Sequence, residues 1–174
     1  MGNNIEDIQT FRLPRYQEIP NVGLYLEQVT RYIGECFAPL MDGGITASMI
    51  SNYVKRGLVS NPVKKQYSRE QIACLIYITA VKTVLTMENI RLMFRIQKDV
   101  CEMQIAYDYF CDGLETMLFC VSSGEEIPAL AAGATEEMLM LHNTVVAVAH
   151  TICLRKRFAV MQQLQSEEKE DVQK

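Results

Sequence analysis

The chain has 174 residues, 49% of them apolar, enough for one domain or for a small domain with a helical extension. Its 17 Lys and Arg against 21 Asp and Glu leave a net charge of −4, which argues against a protein coated along its whole surface in nucleic acid. Six cysteines show no CxxC pair and sit within helical patterns, which suits reduced thiols in a cytoplasmic chain.

The opening residues MGNNIEDIQTFRLPRY contain no apolar core of a secretory signal, and Glu6 breaks the myristoylation pattern that Gly2 would begin. Up to about Pro20 the chain reads as an arm, because Leu13-Pro14 and Ile19-Pro20 disfavour helix. Asn21 is placed to cap a helix through VGLYLEQVTRYIGECF, where Val22, Tyr25, Leu26, Val29, Ile33 and Phe37 recur at helical spacing. Pro39 and Asp42-Gly43-Gly44 mark a turn.

Thr46 is the expected N-cap of the next helix, which Gly57 ends. With Ser48 at zero and steps of about 100° per residue, Ser51, Asn52 and Lys55 fall at about −60°, +40° and −20°. Met49, Ile50, Tyr53 and Val54 fall on the other side, between about +100° and +240°. One face is therefore small, polar and cationic, without the Glu and Lys mixture of an ordinary solvated face. Asn61-Pro62 then turns the chain, and Val63-Lys64-Lys65-Gln66 forms one edge of a small hairpin. Between Met41 and Glu70 five cations (Lys55, Arg56, Lys64, Lys65, Arg69) meet two anions (Asp42, Glu70), a local excess of +3.

Ser68 with Gln71 three residues on is a capping-box pattern ahead of a strongly apolar helix through Val84. Thr86 caps another, with Ile90, Met93 and Phe94 facing inward. A long helix is expected over Cys101 to Val121, a loop over Ser122 to Gly133, and a last helix from Thr135 to about Gln165, its most apolar stretch, Met138 to Leu154, being slightly too short for a membrane span. Two long helices joined by a loop suggest an antiparallel hairpin, apolar enough to pack on a second copy. The end of the chain, rich in Glu and Asp, reads as a solvated, disordered tail.

ITASMISNYVKRGLV resembles the second helix of MerR-type regulators, and QYSREQIACLIYITAVKTVLTMENIRLMF resembles the next two. More narrowly, LPRYQEIPNVGLYLEQVTRYI with ISNYVKRGLVSNPVKKQYSREQIA resembles an uncharacterised Firmicute family, domain of unknown function 1836, with a MerR-type DNA-binding region. Ser48 and Ser51 stand where that group usually has Arg, and the wing is short, so fewer phosphate contacts are expected.

The expected fold is all-α with a small β wing: a winged helix-turn-helix followed by a C-terminal antiparallel hairpin. Its parts are residues 1–98 (arm and DNA-binding region), 99–165 (dimerisation or effector helices) and 166–174 (acidic tail). The expected function is a homodimeric transcriptional regulator on double-stranded DNA. Ser48, Ser51, Asn52 and Lys55 would read bases, and Arg56, Lys64 and Lys65 would contact phosphates. A protein-interaction module and a sensor of a small apolar effector are the alternatives. No catalytic residue, metal, cofactor or membrane partner is expected. No hydrolase or phosphate-loop motif occurs, and Cys101, Cys111 and Cys120 project in different directions along one helix; His142, His150 and Cys153 read as ordinary packing residues.

Overall fold

A computed structural model describes residues 5–41 and 44–172. The Asp42-Gly43 part of the expected turn, the Met1-Gly2 end and residues 173–174 of the tail lie outside the described residues. Among the described residues the chain forms seven α-helices and one two-stranded antiparallel sheet. They are α1 (Ile5–Gln9), β1 (Leu24–Tyr25), α2 (Leu26–Phe37), α3 (Ala47–Lys55), β2 (Gln66–Tyr67), α4 (Arg69–Val81), α5 (Met87–Val100), α6 (Met103–Ser123) and α7 (Glu136–Val172), with a single 3-10 turn at Tyr16–Glu18.

Local chemistry sets most boundaries. Thr46, Ser68 and Thr86 each accept a backbone N–H from three residues on, at 3.2, 3.4 and 3.2 Å, and so satisfy a donor that the first helical turn leaves unpaired. Ser68 and Gln71 complete the reciprocal box, since the Ser68 N–H donates to the Gln71 side chain at 2.8 Å. Gly57, at φ +70, lets the chain leave α3 in the left-handed conformation while the Leu58 N–H donates to the Tyr53 carbonyl.

α2 begins later than its periodicity suggests. Asn21 is not its cap: residues 24–25 are drawn into β1, where Leu24 pairs with Tyr67 and Tyr25 with Gln66. The two strands approach so closely at Gly23 that a Cβ there would sit 2.8 Å from the Gln66 Cβ. Val22 and Tyr25 are consequently exposed, and the buried row is Val29, Ile33 and Phe37. α6 also starts later than expected, because Cys101 takes an extended conformation and ends α5.

The arm is pinned along α6. Leu13 and Ile19 are fully buried, and Glu115 accepts the Leu13 N–H at 2.8 Å while holding both Arg15 terminal nitrogens at 2.6 and 2.7 Å. Asp108 accepts the Tyr16 N–H at 2.7 Å, and Asp112 takes a second bond from Arg15. The Arg15 guanidinium is held firmly charged by Glu115, its own partial burial opposing this. One cluster of buried side chains runs from Ile8 and Phe11 through α2, α3 and α4 to Val148 and Ile152 of α7.

The expected antiparallel hairpin is not formed. Ile105 and Ala106 near the start of α6 share a groove with Glu137 and Met138 at the start of α7, and the Gly113 Cβ position is 3.7 Å from Val145. The two helices therefore run in the same direction. Residues 124–135 return along α6, with Pro128 to Leu130 facing Asp112 to Met117. Twelve extended residues reach about 40 Å, enough to retrace the ~31 Å of a 21-residue helix. α7 outruns α6 and is, by length and composition, apolar enough between Glu136 and Ser166 to cross a membrane; a third of its most apolar window is buried inside the molecule.

Candidate nucleic-acid interface

α3 packs through Ile50 and Tyr53, with relative exposures of 0% and 2%, and the helix is too short to bury a second row. Ser48, Ser51, Asn52 and Lys55 are all exposed, so the four expected base readers do share one free face. The Ser51 hydroxyl donates to the Ala47 carbonyl at 2.9 Å, so outward it can only accept. Tyr53 belongs to the core, and burial raises its hydroxyl pKa.

The end of α3 is held from a distance. An Arg91 Nη donates to the carbonyl of Arg56, the C-cap of α3, at 2.6 Å. This clamps the helix terminus against α5 and places a cation at its negative end. The Arg56 side chain itself stays exposed.

Lys64 and Lys65 form the tip of a two-residue turn closed by the Gln66 N–H donating to the Val63 carbonyl at 2.9 Å. Their φ values are +50° and +65°. Two consecutive left-handed residues are the requirement of a type I′ hairpin turn, which Asn and Gly satisfy most easily. Lysine at both positions is a strained choice. Both lysines are exposed, and none of Lys55, Arg56, Lys64 and Lys65 makes an ion pair among the described residues.

Arg91, Arg95 and Lys98 of α5 escaped the reading of the sequence. They border a cleft of about 220 Å³ beside the residues that follow α3. Their spacing on one helical face was visible, but their position next to residues 57–60 depends on a tertiary contact.

Elsewhere the chemistry is quiet. No group of three metal-ligating side chains occurs among the described residues. Burial pushes the thiols of Cys36 up to about 11 and of Cys74 and Cys111 up to about 12, so they are poor nucleophiles near neutrality.

One family, described as Domain of unknown function (DUF1836), matches residues 14–110. The chain belongs to this family. The DUF1836 match runs from the buried arm through α5 and into α6, and so contains the whole α3 face, the two-lysine turn and the α5 cations. The rest of α6 and all of α7 lie beyond it. No curated protein and no solved structure matches the chain.

Proposed function

We propose that this chain is a DNA-binding transcriptional regulator that acts as a homodimer in the cytoplasm and catalyses no reaction. In this reading the chain is a winged, MerR-like helix-turn-helix with α3 as the recognition helix and the two-lysine turn as the wing, and the order β1, α2, α3, turn, β2, α4, α5 supports it. The observation that carries the reading is the face of α3: three short hydrogen-bonding side chains and a lysine, all exposed, on a helix clamped at both ends. Asn52 is suited to the N6 and N7 edge of adenine, and Lys55 to the acceptors of guanine. Arg56, Lys64 and Lys65 supply phosphate contacts.

Self-association is supported by Leu154, Phe158, Met161 and Leu164, spaced along one face of α7 and each at least half exposed. The groove between α5, α6 and α7, about 220 Å³ and lined by Met93, Ile96, Val100, Ile105 and Leu141, favours a second reading as a sensor of an apolar molecule.

Binding of pooled genomic fragments, titrated with salt, tests the DNA reading. If each protomer of a dimer neutralises two or three phosphates, log K falls against log salt with a slope of roughly −3 to −6. No detectable binding at low salt overturns it.

A further inference from the structure

The cleft beside α3 combines three features that ordinary surface packing does not require. Arg91, Arg95 and Lys98 occupy positions i, i+4 and i+7 of α5, all three line the cleft, and none has an acidic partner within ion-pair distance among the described residues. Glu70 is the one acid among the lining residues, so the walls keep an excess of positive charge. The side facing α4 is rigid: the Gln71 amide donates to the Ser60 carbonyl at 2.8 Å and to its hydroxyl at 3.1 Å.

The inner end of the cleft is apolar. Cys74, Phe94 and Met103 line it and also line a smaller cavity of about 70 Å³ behind. Gln97 borders both spaces. Its amide nitrogen donates to the Cys101 carbonyl at 2.7 Å, while its amide oxygen is buried without a hydrogen-bond partner. A buried acceptor left unmade is costly, and a ligand donor can satisfy it.

We propose that this cleft binds a small organic phosphate. The phosphoryl oxygens are met by Arg91, Arg95 and Lys98, as charge-assisted donors arrayed along one face. The body of the ligand packs on Phe94 and Met103, and an O–H or N–H of that body donates to the Gln97 oxygen. A phosphate monoester suits three cations better than a carboxylate does, because it offers three terminal oxygens and nearly two negative charges.

Calorimetric titration of the full chain without DNA tests this, with inorganic phosphate and 4-hydroxyphenyl phosphate as probes. The aryl ester is expected to bind at least about tenfold more tightly than inorganic phosphate. Arg95→Gln with Lys98→Gln, both exposed positions whose exchange leaves the core intact, is expected to weaken the aryl ester by at least about tenfold. Gln97→Leu is expected to remove most of the aryl ester's advantage. No heat from the aryl ester up to about 10 mM, or equal binding by wild type and the Arg95, Lys98 variant, overturns the proposal. If the wild type takes up neither probe and that variant loses DNA affinity instead, the α5 cations serve the DNA backbone, and the small-phosphate site is refuted while the DNA reading stands.

Discussion

At the scale of single residues, the α3 face and the two-lysine turn are expected to divide the labour of binding. Asn52→Ala relaxes preference at one base position, while Lys64→Ala with Lys65→Ala weakens all sequences alike, because one contact is to a base edge and the others are to phosphates. Selection from a random duplex pool with each variant checks this; an unchanged sequence logo for Asn52→Ala removes that residue from the reading set. The face was legible in the sequence because a nine-residue helix leaves few choices once Ile50 and Tyr53 must be inside. Arg91 was not legible as the clamp of α3. Its partner carbonyl lies 35 residues away, and nothing local marks an arginine that will find it.

At the scale of elements, the caps were the readable part. Thr46, Ser68 and Thr86 act on backbone groups three residues away, so their chemistry is written in the adjacent sequence. The start of α2 was misjudged because strand pairing with residues 66–67 overrides a helical pattern that continues back to Val22. The direction of α7 was misjudged although the loop carried the signal. Antiparallel helix pairs are joined by about two to five residues, and residues 124–135 are far more than that need. The arm's attachment to α6 belongs to this scale as well. Glu115→Ala leaves the partly buried Leu13 N–H without its acceptor and the Arg15 guanidinium with only Asp112 and the Leu13 carbonyl, and is expected to cost about 2 kcal/mol. Glu115→Gln keeps an acceptor for Leu13 and is expected to lose less. Chemical denaturation of the two variants beside wild type measures both.

At the scale of the whole molecule, the buried cluster joins the arm, the α3 region and α7. Composition could suggest helices at both ends of the chain, but whether they share one interior depends on contacts such as Leu13 with Glu115, over a hundred residues apart. Among the exposed apolar side chains, Leu154, Phe158, Met161 and Leu164 form a row on α7 toward and beyond the end of α6. A two-fold association through this row is the expected outcome, seen as a dimer mass by light scattering at micromolar concentration. Phe158→Glu with Met161→Glu is expected to return the monomer without loss of helix content. In a dimer, the two α3 helices would need to lie about 34–36 Å apart, or a multiple of it, to enter successive major grooves.

The left-handed pair Lys64-Lys65 has an implication for how this chain tolerates change. A saturation library at the two positions, sorted first for folded protein, should be dominated by Asn, Asp and Gly, the residues that take φ near +50° to +65° at least cost, with Val and Ile absent. Lys64→Asn with Lys65→Gly should melt higher than the natural chain. Sorted a second time for DNA retention, the same library should invert and return Lys and Arg. Two rankings that oppose each other at one turn would mean that selection has kept charge there against the preference of the backbone. Identical rankings would mean that the turn matters only for its shape.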